Sequence, residues 1–281
     1  MEPAETVLSV TRGEDGTATL WLDRAGSRNA MGRAFFDQLP VLVRGLSEDP
    51  LVRVVILAAR GPHFTVGLDL KEMGELLAGA PAAGTNTPSP SPAARAAATR
   101  AHIVRMQAAI TAVAECPKPV IAAVHGYCIG GGMDLVTACD IRLASADAIF
   151  SVRETRIAIV ADLGTLQRLP KIVGAGHAAE LALTGKDVDA RRAGEIGLVN
   201  HVLADRDALS DAARAMAREI AALSPLAVQG TKAVMAASEG RTVAQGLEYV
   251  ATWNAAMLGS EDLEEAVRAF VEKRPPRFTG N

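Results

Sequence analysis

Apolar positions along the chain fall into short runs typical of buried strands and longer segments with helical spacing. The short runs predict strands at residues 7–11, 17–22, 52–58, 120–124 and 198–203. Helical spacing predicts helices at residues 32–47, 69–77 and 93–115, with Pro40 expected to delay or kink the first. From residue 164 onward the pattern is mostly helical, with three or four amphipathic helices between residues 205 and 273.

Strands therefore alternate with helices through the first two thirds of the chain, and helices gather at the end. This order predicts an α/β core at residues 1–203 and a C-terminal helical region at residues 204–281. Residues 78–92 are small, rich in proline and without periodicity, which predicts a flexible surface loop inside the core. The sequence contains no internal repeat.

Composition narrows the functional class. The chain has 281 residues, 49% of them hydrophobic, which suffices for a sizeable core. Its formal net charge of −3 argues against nucleic acid or an anionic membrane as a partner. Three cysteines without a CxxC pair indicate a reducing compartment, and no metal-ligand motif is present. With no signal segment and no span of about 20 apolar residues, we expect a soluble cytoplasmic protein.

Two junctions between a strand and a helix carry backbone amides that could bind a ligand. The first runs from Gly61 to Lys71, and the amide of Leu68 lies at its end. The second is the glycine cluster Gly130–Gly132, where the amide of Gly131 could point into a cleft. Each also has a purely structural interpretation, an ordinary turn capped by Asp69 in the first case and tight helix–sheet packing in the second. Neither matches a nucleotide-binding fingerprint.

Three acidic residues stand among apolar neighbours. They are Asp134, Glu154 and Asp162. Carboxylates in apolar surroundings are costly unless paired, so a cluster of them is a candidate site of proton transfer. Taken singly, each has a structural alternative: Glu154 could form a salt bridge with Arg153 or Arg156, and Asp162 could cap the helix that follows it.

Together these segments resemble the crotonase (enoyl-CoA hydratase/isomerase) superfamily over nearly the whole chain. Its hallmarks are an H-F-x-x-G-x-D-L loop, a G-Y-x-x-G-G-G-x-[DE]-L segment and a C-D-I-R stretch. Here they fall at His63–Leu70, Gly126–Leu135 and Cys139–Arg142. Further matches are Leu166–Pro170, Leu183–Gly185 and Ala193–Val199.

The resemblance implies a spiral of ββα units followed by a helical trimerisation region, and a homotrimer or dimer of trimers. It also implies an acyl-CoA thioester as substrate, with no metal and no separate cofactor. The amides of Leu68 and Gly131 would form an oxyanion hole for the thioester oxygen. The residues that the resemblance associates with CoA binding are Arg28, Asp69, Lys71 and Lys273.

The acids distinguish the subgroups of this superfamily. Hydratases usually carry Glu at the first two acidic positions, whereas this chain has Asp134, Glu154 and a third acid, Asp162. This order, followed by Leu163–Pro170, resembles the Δ3,5-Δ2,4-dienoyl-CoA isomerases of fatty-acid β-oxidation. The resemblance implies proton transfer by Glu154 and Asp162, with Asp134 tuning or orienting one of them. Because the C-terminal tripeptide is not a peroxisomal signal, we expect a bacterial, cytoplasmic enzyme.

Three alternatives stay open at this stage. A hydratase, which is a lyase, could use Asp134 and Glu154 to add water to a 2-enoyl-CoA. A non-catalytic paralogue could bind acyl-CoA without turning it over, although the retained acids argue against this. The same fold also hosts other reactions, among them hydrolysis and C–C cleavage. Assays with a panel of acyl-CoA thioesters discriminate among these.

Overall fold

The structure is a computed structural model that describes residues 6–72 and 91–281. Most of the loop predicted at residues 78–92 lies outside these ranges. The helix predicted at residues 69–77 begins at Leu70, and residues 73–77 of that prediction also lie outside the described residues.

The strands form two sheets. The larger contains, in spatial order, β1 (Leu8–Arg12), β2 (Thr17–Leu22), β3 (Val54–Ala59), β4 (Val120–Val124), β6 (Ile141–Ser145) and β9 (His201–Leu203). The smaller contains β5 (Tyr127–Ile129), β7 (Ile149–Ser151) and β8 (Val188–Asp189). In the larger sheet, strand β1 is antiparallel to β2, and the pairs β2–β3, β3–β4, β4–β6 and β6–β9 are parallel. Parallel strands need crossover connections, which the helices provide.

The helices follow the order predicted from the pattern. In the first two thirds they are α1 (Arg33–Glu48), α2 (Pro92–Ala114), α3 (Gly131–Thr137), α4 (Thr165–Val173), α5 (Ala175–Thr184) and α6 (Ala190–Glu195). The last part carries α7 (Arg206–Ala221), α8 (Pro225–Ala237), α9 (Val243–Met257) and α10 (Glu261–Glu272). Short 3-10 helices span Ala25–Ser27 and Glu154–Ile157. Helix α1 begins at Arg33, so Pro40 lies within the helix and does not delay its start.

Successive units β4–β5–α3 and β6–β7–α4 each place one strand in the large sheet and the next in the small sheet. This arrangement is the predicted spiral of ββα units, and it confirms the α/β fold class. Helices α1 and α2 cover one face of the large sheet over the main apolar core, and α7 covers the other. Because α7 packs on the sheet, the first helix of the predicted C-terminal helical region is part of the hydrophobic packing of the α/β core. The division at residue 203 stays a prediction.

Several hydrogen bonds hold the C-terminal segment, and most of those from its last residues meet at the buried carboxylate of Asp262, while Arg53 Nη2 on the body donates to Phe278 O (2.5 Å). Asp262 Oδ1 accepts hydrogen bonds from the amides of Thr279 (2.8 Å) and Gly280 (3.1 Å), and Oδ2 accepts one from Ser224 Oγ (2.6 Å). Within residues 6–72 and 91–281, no single helix is long and apolar enough to cross a bilayer. Only α7 and α8 taken together, across a 104° bend, reach that length and composition.

Candidate active site

The two strand-to-helix junctions named above meet because the chain after β3 pairs with β5. Thr65 N donates to Tyr127 O (2.8 Å), and Ile129 N donates to Thr65 O (3.1 Å), which makes a parallel bridge between Thr65 and Cys128. This register runs the segment ending at Leu68 alongside the strand that leads into Gly131. The structure therefore brings the two predicted amides together.

The amides of Leu68 and Gly131 have no hydrogen-bond acceptor among the described residues. Met31 fixes the backbone on both sides of Leu68, since Met31 N donates to Gly67 O (2.8 Å) and Asp69 N donates to Met31 O (3.1 Å). A methyl group placed on Gly131 would lie 3.9 Å from Leu68 N. Two free, neighbouring amides are the arrangement that stabilises an oxyanion. Their catalytic role stays a prediction.

Asn29 holds this loop in place, and the sequence analysis did not single it out. Its Nδ2 donates to the carbonyl oxygens of Arg60 (2.8 Å) and His63 (2.9 Å), and its Oδ1 accepts from Arg24 N (2.9 Å). Its own carbonyl oxygen accepts from Thr65 Oγ1 (2.6 Å). Asn29 has a left-handed backbone with φ of 55°, a conformation that asparagine tolerates better than most residues. No local pattern in the sequence identifies it, because Arg60 and His63 lie 31 and 34 residues further along the chain.

Asp134 is fully buried in the first turn of α3, and its carboxylate is bound to the start of α4. Its Oδ1 accepts hydrogen bonds from Thr165 N (2.7 Å) and Thr165 Oγ1 (2.7 Å). Asp134 thus caps α4 from a distant helix. The alternative that Asp162 caps α4 is excluded, because Gly164 occupies the cap position without a side-chain hydrogen bond.

Glu154 points at the glycine cluster. Its Oε1 lies 3.3 Å from the position that a β-carbon on Gly130 would occupy, next to the Gly131 amide. Its Oε2 is buried with no hydrogen-bond partner in the described part of the chain. Arg153 pairs with Asp187 instead. The alternative that Glu154 serves a salt bridge is therefore not supported.

Asp162 lies half-buried between α4 and α2. Gln107 on α2 donates from Nε2 to the Asp162 carbonyl oxygen (2.6 Å). Arg168 on α4 donates to Leu163 O (3.3 Å) and to Thr111 Oγ1 on α2 (3.3 Å). Helix α2 therefore packs against the segment that carries Asp162, and the Asp162 carboxylate is near enough to influence the ionisation of both other acids.

Burial raises the pKa of all three acids. For Asp134 it raises the pKa from 3.8 to about 7, against the hydrogen bonds from Thr165, and the charges of Glu154 and Asp162 add to the rise. Burial likewise raises the pKa of Glu154, with a further contribution from the charge of Asp162. It also raises the pKa of Asp162. Acids of this kind exchange protons near neutral pH more readily than ordinary surface carboxyls do.

Asp134→Asn is expected to raise the melting temperature at pH 8 and to leave it almost unchanged near pH 4. The unfolded chain releases this proton near pH 4 and the folded protein near pH 7, so the folded state binds the extra proton between those values. Stability is therefore lost as pH rises through that window, by at most about 4 kcal/mol. Asparagine keeps an oxygen for Thr165 and carries no charge. Melting curves across pH 4–8 measure this, and a difference independent of pH would contradict it.

The residues predicted to bind CoA are only partly brought together. Asp69 and Lys71, which closely follow Leu68 in the chain, line a surface cavity of about 570 Å³. The Asp69 carboxylate is paired with Arg24 Nη1 (2.6 Å), which lowers its pKa. Arg28 is exposed at the end of the neighbouring 3-10 helix. Lys273 is exposed after α10, and no hydrogen bond or ion pair in the described ranges joins it to this cavity.

Known proteins resemble this chain over almost its whole length. The family model described as Enoyl-CoA hydratase/isomerase matches residues 12–281. The peroxisomal Δ(3,5)-Δ(2,4)-dienoyl-CoA isomerase of Arabidopsis thaliana is 46% identical over 99% of this chain and 98% of its own length. The mitochondrial enzyme of the same name from Homo sapiens is 41% identical over 95% of this chain and 80% of its own length.

These names correct one expectation. We expected a bacterial, cytoplasmic protein, and that expectation is contradicted by the relatives, whose names place them in peroxisomes or mitochondria. The C-terminal tripeptide on which it rested was too weak a signal to decide the compartment.

Solved structures have the same fold. Enoyl-CoA hydratase from Bacillus anthracis superimposes with a TM-score of 0.87 at 30% identity, covering 98% of this chain and 100% of that one. The enzyme of that name from Mycobacterium smegmatis gives a TM-score of 0.82 at 32% identity, covering 98% of this chain and 99% of that one. Because the similarity in both sequence and fold extends over nearly the whole chain, the chain belongs to the enoyl-CoA hydratase/isomerase, or crotonase, family.

Proposed function

We propose that this chain isomerises a 3,5-dienoyl-CoA to the conjugated 2,4-dienoyl-CoA, a step of fatty-acid breakdown. The observation that carries the proposal is the Glu154 carboxylate beside Gly130 and the pair of free amides, with a second half-buried acid, Asp162, near enough to raise the pKa of Glu154. Moving two double bonds along a chain requires a base at one end and an acid at the other. The names of the relatives support the same assignment.

The reaction begins with the thioester oxygen between the amides of Leu68 and Gly131. Removing the proton next to the carbonyl produces a dienolate, whose negative charge is concentrated on that oxygen. A thioester α-proton is far less acidic than any carboxylic acid, so the dienolate must be stabilised electrostatically. One donor of an oxyanion hole typically contributes about 10²–10³ in rate.

We assign the removal of the α-proton to Glu154, because its carboxylate lies beside Gly130 and hence next to the Gly131 amide. Asp162 then delivers a proton to the far end of the dienolate. One C–H bond breaks and one forms, so the substrate neither gains nor loses atoms. The raised pKa of Asp162 favours the protonated form that this step requires.

The contacts of Asp134 argue against the hydratase alternative. A hydratase would use the first two acids, here Asp134 and Glu154, to hold and activate one water. Asp134 Oδ1 is already engaged by both the amide and the hydroxyl of Thr165 (2.7 Å each). Asp134 therefore acts by fixing α4, and with it the segment that carries Asp162.

Lys71 and Arg28 are placed to meet the phosphates of CoA, because Lys71 lines the surface cavity and Arg28 directly follows Ser27, which also lines it. A carboxylate repels phosphate, so Asp69 does not contact the phosphates itself. It contributes indirectly by holding the side chain of Arg24 (2.6 Å). We also propose Lys273 as a CoA contact. The mechanism requires no metal and no cofactor besides the thioester itself.

The decisive assay supplies the purified protein with a 3,5-dienoyl-CoA and records the absorbance of the conjugated product. A parallel reaction with a 2-enoyl-CoA is examined for the 3-hydroxy product by mass spectrometry. Rapid formation of the 2,4-diene with little hydration supports the proposal. Hydration alone would favour the lyase alternative, and binding without turnover of any thioester would favour a non-catalytic paralogue.

We further infer that the chain assembles as a homotrimer or a dimer of trimers through its last helices. Apolar side chains stand exposed on α9 and α10, including Val243 (81% exposed), Leu247 (62%), Phe270 (85%) and Val271 (73%). Exposed apolar surface of this kind usually marks an interface.

Phe270→Glu is expected to shift the species seen by sedimentation velocity from three or six chains to one. A buried glutamate at an apolar interface costs far more than an exposed one. Leu51→Glu is the matched control, because Leu51 is similarly exposed (78%) but follows α1 on the body of the protein. A wild-type chain that sediments as a monomer would contradict the inference.

A further inference from the structure

A second cavity, of about 140 Å³, lies between the large sheet and α7, on the face of the sheet opposite α1 and α2. Protein interiors are normally close-packed, and small side chains leave this interface open. Three alanines line the cavity where larger residues would fill it: Ala58 on β3, Ala123 on β4 and Ala213 on α7. None of its lining residues is shared with the surface cavity of Asp69 and Lys71. The two cavities are therefore separate.

The inner part of this second cavity is apolar. Besides the alanines, it is lined by Ile56 and Leu209, which are 4% and 2% exposed, and by the ring of Trp21. An engineered apolar cavity of about 150 Å³ in a protein holds a benzene molecule. The space beneath α7 therefore has room for an apolar group of about six carbons.

The rim of the cavity carries an excess of positive charge. The charged residues that line it are Arg60, Arg206, Asp207 and Arg214. Arg214 is paired with Asp211 (2.7 Å) on the same helix. Arg60 and Arg206 form no ion pair within residues 6–72 and 91–281, so two uncompensated cations face one acid, Asp207. A cavity with this balance of charge attracts an anion.

Arg206 is held in place before any ligand arrives. Its Nη1 donates to Gly61 O (2.7 Å), and its Nη2 donates to Ala59 O (3.2 Å), which leaves three of its five N–H groups for a ligand. A side chain that is already ordered loses less entropy on binding. His125 Nε2 lies 2.9 Å from the same Gly61 oxygen. Burial lowers the pKa of His125, so this residue is mostly neutral at neutral pH.

Arg60 is held at the rim by an aromatic ring. Its guanidinium carbon lies 3.9 Å from the centroid of the Trp21 ring, a distance at which a cation and an indole attract each other. A ligand that binds Arg60 therefore changes the surroundings of the Trp21 indole. The other tryptophan of the chain, Trp253, lies on α9 and does not line this cavity.

We propose that this cavity binds a small organic carboxylate with an apolar body of about six carbons. The carboxylate accepts hydrogen bonds from Arg60 and Arg206 at the rim, and the hydrocarbon part lies against Ile56, Ala123 and Leu209. An inorganic anion lacks the apolar body and an alcohol lacks the charge, so the two halves of the cavity together select a carboxylate. The site is independent of the proposed isomerase reaction.

Hexanoate is the probe, and its binding is followed by tryptophan fluorescence and by calorimetry. We expect a dissociation constant on the order of 1 mM, an ordinary value for a ligand of about eight non-hydrogen atoms. Hexan-1-ol and inorganic phosphate should each bind about tenfold more weakly or worse. Trp21→Phe should abolish the fluorescence change and keep the calorimetric heat. Hexan-1-ol binding as tightly as hexanoate overturns the proposal.

Three charge variants locate the site. Arg60→Gln should weaken hexanoate binding about fivefold, and Asp207→Asn should tighten it about threefold. A gain of affinity cannot result from misfolding. Arg218→Gln is the matched control, because Arg218 is on the same helix but lies near Asp15 (3.4 Å) and outside the cavity. Equal affinities in all three variants overturn the proposal, as does displacement of hexanoate by an acyl-CoA, which would place hexanoate in the active site.

Discussion

Glu154→Gln is expected to lower kcat for 3,5-dienoyl-CoA by about 10²–10⁴-fold, the range lost when a general base is removed. Glutamine has nearly the same size but cannot accept the α-proton at neutral pH. The Glu154 carboxylate lies beside Gly130, and its Oε2 is buried without a partner, so the substitution removes a base and breaks no contact recorded for that atom. KM should change little. Steady-state absorbance of the 2,4-diene measures both constants.

Deuterium exchange distinguishes the two acids. In D₂O, Asp162→Asn should still let Glu154 exchange the α-proton with solvent, so deuterium enters the recovered substrate while product formation falls. Glu154→Gln should lose both exchange and product. Glu195→Gln is the control, because Glu195 forms a surface pair with Arg191 on α6. Full rates in both Glu154→Gln and Asp162→Asn would contradict the assignment.

The sequence predicted both halves of the amide pair but not how they meet. A strand followed by a glycine cluster predicts free amides near Leu68 and Gly131 because helix starts leave N–H groups without acceptors. Their proximity depends on the bridge between Thr65 and Cys128, a contact 63 residues apart in the chain that no local pattern reveals. The hydrogen bonds by which Asn29 holds this loop also join residues that are far apart in the chain.

Prediction of the acidic cluster from the sequence is limited in the same way. Apolar neighbours correctly indicated burial of Asp134, since it is 1% exposed. The partner of its carboxylate, Thr165, is 31 residues away, so the sequence could not distinguish an acid that caps a helix from one that holds water. Strands β5, β7 and β8 were not predicted, because two or three residues are too few to show a hydrophobic period. In β6 the buried Arg142 interrupts the apolar run.

Gly67→Ala is expected to lower kcat by about 10²–10³-fold, the loss that follows removal of one oxyanion-hole donor. Gly67 precedes Leu68 and has φ of +86°, and an added β-carbon would lie 2.7 Å from the carbonyl oxygen of Ile129. That oxygen belongs to strand β5 and cannot retreat as a flexible side chain would. The loop must therefore move, and the Leu68 amide moves with it. Steady-state kinetics with 3,5-dienoyl-CoA measure the loss.

Gly174→Ala separates loss of geometry from backbone strain. Gly174 joins α4 to α5 with φ of +80°, nearly the same as Gly67, but an added β-carbon there has no neighbour within 4 Å. Both variants place an alanine at positive φ, a strain of about 1–3 kcal/mol that urea unfolding measures. Only Gly67→Ala also displaces a donor, so only it should lose activity beyond its loss of stability. Equal rates in the two variants would show that the Leu68 amide does not stabilise the reacting oxygen.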